Sequence, residues 1–117
     1  VRPLVSRTLI RRTFEVAEET GAALPACPVT DSLRLLGEDD TNEAVDRARY
    51  RAVQTPQTFD LERLHRAYEQ PFSPQFTDDA SVYEAAGLGA ITLVEGEETN
   101  IKLTTPRDLL LADLLLD

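Results

Sequence analysis

Lysine is nearly missing from this chain, which has a single lysine, Lys102, against eleven arginines. Methionine is absent, and the chain opens at Val1-Arg2-Pro3. Because a gene product normally begins with methionine, we expect further residues upstream of Val1. No apolar run reaches the length that a membrane-spanning helix needs, so we expect no membrane association.

Cysteine and histidine occur once each, as Cys27 and His65. One cysteine cannot form an intrachain disulfide, so a reducing cytoplasm is the expected compartment. His65 lies off the apolar stripe of its predicted helix and has no second metal ligand nearby. We interpret it as a surface residue rather than as a metal-binding or catalytic group.

Positive charge is also scarce, because 21 acidic residues face 12 basic ones and the net charge is −9. This balance argues against nucleic acid as the main partner, since binding a phosphate backbone depends on clustered cations. It does not exclude a local basic pocket for a small phosphorylated substrate. A chain of 117 residues with 42% apolar content is long enough for one globular domain.

Helical and extended patterns alternate along the chain, which indicates an α/β fold. Ser6 caps a predicted helix that continues to about Thr20 and presents Ile10, Phe14, Ala17 and Gly21 on one face. The apolar segment 22–29 is predicted as a strand, and Pro25 and Pro28 favour an edge or bulge position. Further predicted elements are a helix from Asp60 to Pro71 with Leu61, Leu64 and Tyr68 on one face, a helix from Thr77-Asp78-Asp79 to Ala86, a strand from Ala90 to Val94, and a leucine-rich final helix that is either buried or covers a surface outside this chain.

The segment from Thr30 to Arg51 has a different character, being polar and charged around a Gly37-Glu38-Asp39-Asp40 turn. We predict a hairpin-like arm with little core of its own, which needs a partner surface to stay ordered. A solvated charged loop is the alternative, and composition alone favours that alternative.

The single lysine lies between Ile101 and Leu103, an alternation that predicts a short strand with Lys102 on its polar face. Thr105 and Pro106 then mark the start of the final helix. A lysine at a strand end beside free helix amides is a suitable place for a phosphate. A solvent-facing lysine beside a well-capped helix explains the same residues, and on this stretch alone it is the preferred interpretation.

Ligands of α/β folds bind beyond the carboxyl ends of strands, so loops are the places to look for a site. Four loop regions carry suitable polar groups: Arg2-Pro3, Asp31-Ser32, Thr55-Pro56-Gln57 with Thr77-Asp78, and Asn100 to Thr105.

Five segments, taken together and in this order, resemble one family: Arg2-Pro3-Leu4-Val5; Pro28-Val29-Thr30-Asp31-Ser32; Asp46-Arg47 with Gln54-Thr55-Pro56-Gln57; Thr77-Asp78-Asp79-Ala80; and Asn100-Ile101-Lys102-Leu103-Thr104. The pattern is similar to the C-terminal half of 2-C-methyl-D-erythritol 4-phosphate cytidylyltransferases over essentially the whole chain. The resemblance implies the C-terminal half of a Rossmann-like nucleotidyltransferase fold with a β-arm excursion at 30–51. Ribitol 5-phosphate cytidylyltransferases share much of the pattern.

The resemblance also implies a site and its partners. The family joins CTP to a sugar-alcohol phosphate and releases pyrophosphate, with a divalent metal, expected to be Mg²⁺. Lys102 and Arg47 are implied to position the attacking phosphate as catalytic residues. The arm at 30–51 is implied to cross to the other subunit of a homodimer. The implied substrate-binding residues are Arg2, Ser32, Thr55, Thr77 and Asp78.

Two departures from the family pattern stand out. Ser32 occupies a position where threonine is usual, and since the hydroxyl is kept we expect a mild effect. The glycine-rich nucleotide loop and the metal-holding aspartate of the family are expected upstream of Val1, so we expect this chain to be inactive alone. A non-catalytic α/β domain that dimerises through its arm remains an alternative to an enzyme.

Overall fold

The computed structural model describes residues 1–116, and it confirms the predicted α/β class. The helices and strands follow in this order: α1 (Arg7–Thr20), β1 (Ala22–Pro28), β2 (Arg34–Leu36), β3 (Asn42–Ala44), a 3₁₀ turn (Arg47–Arg49), β4 (Arg51–Val53), β5 (Thr58–Phe59), α2 (Leu61–Ala67), α3 (Asp79–Ala85), β6 (Thr92–Glu95) and α4 (Pro106–Leu115). None of the helices in residues 1–116 is long and apolar enough to cross a membrane.

Strand β1 lies at the centre of the main sheet. It pairs with β6 in parallel along one edge, and with β4 and β5 in antiparallel orientation along the other. The prediction of an edge or bulge position for residues 22–29 is therefore wrong. Pro25 is tolerated because it lies opposite the break between β4 and β5, where its missing N–H costs no ladder bond, and its carbonyl accepts from the Gln54 N–H at 2.8 Å.

The core covers both faces of β1. Ala23 packs with Ala17 of α1 on one face, whereas Leu24 and Ala26 pack with Ala80 of α3 on the other. Alternate side chains of a strand point to opposite faces, so a strand covered on both sides needs apolar residues throughout. This explains the unbroken apolar segment from Ala22 to Ala26, all of which is buried.

Helix α1 has the predicted bounds, with Ser6 as its N-cap and Gly21 in the left-handed conformation at its C-cap. Its predicted buried face is wrong by about one residue. The buried residues are Leu9, Thr13 and Ala17, whereas Phe14 is 54% exposed. The hydroxyl of Thr13 donates to the Leu9 carbonyl at 2.8 Å, so this polar residue can be buried without an unpaired group.

The short strand predicted around Lys102 does not form. Residues 101–104 belong to no helix or strand, and their backbone–backbone hydrogen bonds are isolated: the Ile101 N–H donates to the Thr99 carbonyl at 2.9 Å and the Leu103 N–H to the Val1 carbonyl at 2.8 Å. The alternation of exposure is nevertheless as predicted, because Lys102 is exposed and Ile101 and Leu103 are partly buried. A strand needs a paired neighbour, and residues 1–116 supply none for this segment.

The helix starts predicted from capping residues are confirmed. Asp60 caps α2, Asp78 caps α3 and Thr105 caps α4. The predicted Leu61/Leu64/Tyr68 face of α2 is not buried, since Leu61 is 79% exposed. His65 is exposed on α2, as predicted.

The arm forms the predicted hairpin. Within residues 1–116, strands β2 and β3 pair only with each other, and every residue of both is exposed. Asp39 and Asp40, at the predicted turn, both have φ of 60°. Helix α4 likewise buries only Ala112 and exposes its leucines, so within residues 1–116 it is not a core helix.

We predict that Gly96→Ala destabilises the fold. A Cβ at this position would lie 2.6 Å from Gln54 Oε1 and 2.9 Å from Cys27 Sγ, which forces tightly packed groups apart. Overpacking of this kind costs about 1–3 kcal/mol in the free energy of unfolding. Chemical denaturation of the protein that carries this chain measures the loss.

The matched control is Gly37→Ala at the tip of the arm, where a Cβ would clash with Thr41 Oγ1, but Thr41 is an exposed residue whose side chain can rotate away. We expect this variant to remain within roughly 0.5 kcal/mol of wild type. Equal stability losses at the two positions would contradict the close-approach explanation for Gly96.

Candidate functional site

A cleft of about 530 Å³ lies beside the carboxyl end of β6 and the break between β4 and β5. Two cationic side chains line it, Arg2 and Lys102, together with hydroxyl, amide and carboxylate groups. Five of the seven predicted site residues meet in this cleft: Arg2, Thr55, Thr77, Asp78 and Lys102. They come from four separate parts of the chain, so only the fold brings them together.

Arg2 lines the cleft and also connects the segments that contain Val53 and Asn100. Its guanidinium donates to the Asn100 carbonyl at 2.6 Å and to the Val53 carbonyl at 3.3 Å. Burial lowers the pKa of Arg2, and the Cys27 thiol acts in the opposite direction. The ordinary pKa of arginine is so high that the group stays cationic.

Lys102 is exposed at the rim of the same cleft. No hydrogen bond within residues 1–116 occupies its ammonium group, so that charge is available to a ligand. The chain on its carboxyl side is held by the cap of α4, where Asp108 accepts from the amides of Thr104 and Thr105, each at 3.0 Å. These bonds lower the pKa of Asp108, with Thr104 contributing most.

Gln57 joins the loop after β4 to the start of α3. Its side-chain amide donates to Asp78 Oδ2 at 3.0 Å, and its carbonyl oxygen accepts from the Ala80 N–H at 3.1 Å. Burial acts to raise the pKa of Asp78, but hydrogen bonds from the Ser81 N–H and from Gln57 outweigh it. The net pKa is below its usual value, so Asp78 is an ionised hydrogen-bond acceptor at neutral pH.

Two buried amides at the cleft were not predicted as functional residues, and one of them, Gln54, is part of the cleft lining. Gln54 is 8% exposed and Asn100 is 1% exposed, and Asn100 donates to Gln54 Oε1 at 3.3 Å and to the Thr55 carbonyl at 2.8 Å. Both belong to segments that carry the family resemblance. The sequence offers one indication of their importance: Gln54 directly precedes Thr55, and Asn100 precedes Lys102 by two residues, and both Thr55 and Lys102 line the cleft.

Ser32 and Arg47 do not reach the cleft of their own chain. Both are exposed on the arm, where the Arg47 guanidinium donates to the Thr30 carbonyl. The arm is thus separated from the five residues that meet, and the roles of Ser32 and Arg47 remain predictions.

The charges in the cleft favour an anionic ligand that also carries hydroxyl groups. Arg2 and Lys102 supply positive charge, whereas Asp78 and the Thr55 and Thr77 hydroxyls supply acceptors and donors. Within residues 1–116, no three His, Cys, Asp or Glu side chains gather into a metal-binding group. The described residues therefore do not form a metal site of their own, and the paired Asp78 and Asp79 begin α3.

A cationic, hydroxyl-lined cleft at the end of a strand in an α/β sheet is typical of proteins that bind small phosphorylated ligands. Fold and cleft together define this class. The chain belongs to the family described as "IspD: 2-C-methyl-D-erythritol 4-phosphate cytidylyltransferase", whose model matches residues 1–117.

Individual relatives agree with this membership. The chain is 54% identical over 116 residues to the 2-C-methyl-D-erythritol 4-phosphate cytidylyltransferase of Porphyromonas gingivalis, covering 99% of this chain and 52% of that protein. The chain thus spans about half the length of the curated relatives it matches.

Solved structures give the same result. The crystal structure of the Thermus thermophilus cytidylyltransferase matches with a TM-score of 0.82 and 39% identity, covering 97% of this chain and 57% of the other. The 4-diphosphocytidyl-2C-methyl-D-erythritol synthase of Anaerococcus prevotii matches with a TM-score of 0.86 and 28% identity, covering 98% of this chain and 54% of the other. The nucleotidyltransferase fold predicted from the resemblance is confirmed.

We predict that Asp78→Asn reduces stability at neutral pH but not in acid. Because the folded-state pKa is lowered, the ionised carboxylate stabilises the fold above its unfolded pKa of about 3.8, and this stabilisation is lost as the pH falls through the folded pKa. A neutral asparagine can still cap α3, so the loss at pH 7 is roughly 1 kcal/mol, the difference between charged and neutral hydrogen bonds.

Denaturation of the wild type and of Asp78→Asn between pH 2 and pH 7 tests this prediction, with the two stabilities converging as the pH falls below the unfolded value of about 3.8 and through the lower folded pKa. The control is Asp113→Asn, an exposed carboxyl on α4 that accepts no hydrogen bond within residues 1–116. A wild-type advantage over Asp78→Asn that does not change with pH would show that charge is not the cause.

Proposed function

We propose that this chain forms the acceptor side of a cytidylyltransferase that joins CTP and 2-C-methyl-D-erythritol 4-phosphate in the non-mevalonate route to isoprenoids. The products are the CDP-sugar alcohol and pyrophosphate. The observation that carries this proposal is the convergence of Arg2, Lys102, Thr55, Thr77 and Asp78 on one cleft. Family membership supports it, because relatives twice as long carry this activity in their names.

The proposed chemistry needs positioning and charge rather than a covalent nucleophile. An oxygen of the sugar-alcohol phosphate attacks the α-phosphorus of CTP, a new P–O bond forms, and the bond to the β-phosphate breaks with release of pyrophosphate. Lys102 and Arg2 hold the attacking phosphate, and their charges offset the repulsion between two anions. Asp78 and the threonine hydroxyls face the hydroxyl groups of the polyol.

A divalent metal, expected to be Mg²⁺, stays a prediction from the resemblance alone. The residues described offer no metal-binding group, so we derive no step of the reaction through it.

The proposed assembly is a homodimer in which the arm at 30–51 reaches the cleft of the other subunit. Two observations support it: among the residues that the structure describes, the hairpin makes no strand pairing outside itself, and neither Arg47 nor Ser32 lines the cleft of its own chain. A cytoplasmic location is part of the same proposal, supported by the unpaired thiol of Cys27.

Two alternatives are distinguished by product analysis. A ribitol 5-phosphate-type cytidylyltransferase would give its CDP-alcohol from ribitol 5-phosphate in preference to the erythritol compound. A non-catalytic dimerising domain would give no CDP-alcohol with either acceptor in the complete protein.

We predict that Lys102→Ala in the complete enzyme lowers turnover on the order of 10²-fold or more, because it removes a charge directed at the transferring phosphoryl group. Lys102 is exposed, so the melting temperature should stay close to that of wild type. The control is Arg107→Ala, which removes an exposed cation of α4 that does not line the cleft. A Lys102→Ala variant that keeps its turnover and instead loses melting temperature would assign the lysine a structural role.

We predict that Arg47 acts in the cleft of the partner subunit. When the inactive variants Arg47→Ala and Lys102→Ala of the complete enzyme exchange subunits, random pairing places about half of the dimers in the mixed class. Each mixed dimer then has one site with both residues intact, so about a quarter of the wild-type activity returns. Steady-state assays before and after mixing measure the recovery.

The control mixes each variant with itself, which leaves every site incomplete. Subunit exchange demonstrated by mass spectrometry, without any recovered turnover, would place Arg47 in the cleft of its own subunit and exclude the exchanged arm.

A further inference from the structure

Gln54, which lines the cleft, and the buried Asn100 form one connected unit with the turn at 97–100. Gln54 accepts from the Glu97 N–H at 3.2 Å and from Asn100 Nδ2 at 3.3 Å, and its own Nε2 donates to the Glu97 carbonyl at 2.8 Å. Asn100 Nδ2 also donates to the Thr55 carbonyl at 2.8 Å. We call Gln54 and Asn100 the amide clamp.

The amide clamp is rigidly connected to the sheet. The Gln54 N–H donates to the carbonyl of Pro25 in the central strand, and the Gly96 N–H donates to the carbonyl of Ala26. The close approach of Gln54 Oε1 to Gly96 leaves no room for a Cβ there. The turn at 97–100 is therefore held against β1 and against the segment at 53–55.

The segment that carries Lys102 has little support of its own. Residues 101–104 form no strand, and their backbone–backbone hydrogen bonds are isolated ones: the Ile101 N–H donates to the Thr99 carbonyl at 2.9 Å, and the Leu103 N–H donates to the Val1 carbonyl at 2.8 Å. Lys102 follows Asn100 by two residues, so the position of its backbone is set on the amino side by the clamp together with Arg2, which donates to the Asn100 carbonyl. The clamp also holds the Thr55 carbonyl, and Thr55 lines the same cleft as Lys102.

We propose that Gln54 and Asn100 are positioning residues, which hold the Lys102 ammonium group and Thr55 in register across the cleft for the phosphate of the acceptor. This inference rests on the proposed function of the cleft. Misplacing a positioned group by about 1 Å costs on the order of 10²-fold in rate, so a loosened clamp reduces turnover even though neither amide participates in the reaction.

The test uses two clamp variants of the complete enzyme. Gln54→Glu keeps the shape of the side chain but replaces the donor to the Glu97 carbonyl with an acceptor. Asn100→Ala removes the donor to Gln54 and Thr55 and introduces no charge, and it serves if the first variant does not fold. The matched control is Gln70→Glu, because Gln70 Nε2 also donates to two backbone carbonyls, those of Ala67 and Val82, and none of these three residues lines the cleft.

A double-mutant cycle separates positioning from general damage. Each clamp variant is measured with Lys102 present and in the Lys102→Ala background. We expect roughly 10-fold or greater loss of kcat when Lys102 is present, and less than about 2-fold additional loss when it is absent. The KM for CTP and the kcat of Gln70→Glu should stay near wild-type values. Equal losses in both backgrounds would overturn the proposal.

A second readout does not depend on activity. Carbon-13 methylation of lysines gives an NMR signal for Lys102, which is assigned by its loss in Lys102→Arg. We expect both clamp variants to shift this signal and Gln70→Glu to leave it unchanged. An unshifted signal in both clamp variants would overturn the clamp. If the signals shift but the complete enzyme forms no CDP-alcohol from either acceptor, the proposed function fails while the clamp stands.

Discussion

The constraint on which the whole structure depends is the position of β1. This seven-residue strand is paired along both edges and covered on both faces, by α1 and by α3. Most cleft residues lie in loops beside elements that are attached to β1. Thr55 lies between β4 and β5, which pair with β1; Thr77 and Asp78 precede α3, which packs on it; and Lys102 follows β6, which pairs with it in parallel. The relative positions of the cleft residues therefore depend on the position of this one strand.

The break between β4 and β5 connects this scaffold to the chemistry. Opposite Pro25 the neighbouring strand leaves the ladder, and the freed segment at 54–57 carries Gln54, Thr55 and Gln57. Gln54 turns inward to the loop after β6, whereas Gln57 reaches the start of α3 and holds Asp78. The segment freed by this interruption thus holds both the loop after β6 and the start of α3, which are far apart in the chain, and the cleft forms between them.

The exposed parts of the chain are unusual for a protein with a modest core. The arm exposes every residue of its two strands, and α4 exposes most of its leucines. A two-stranded hairpin is only marginally stable without a supporting surface. In the proposed homodimer the arm gains that surface, and the same contact would bring Arg47 to a cleft that otherwise has two cations.

Local chemistry determined what could be predicted from the sequence by itself. Capping residues located the helix starts at Ser6, Asp60, Asp78 and Thr105, and the ordered segments identified the family. Pairing and burial could not be predicted in the same way. The central place of β1, the buried Thr13 and the unpaired stretch around Lys102 depend on neighbours distant in sequence. The same holds for the amide clamp. Gln54 and Asn100 are ordinary polar residues in the sequence, and only the tertiary structure decides that they hold the cleft together, because it buries both amides within hydrogen-bonding distance of each other and of the backbone at Thr55 and Glu97.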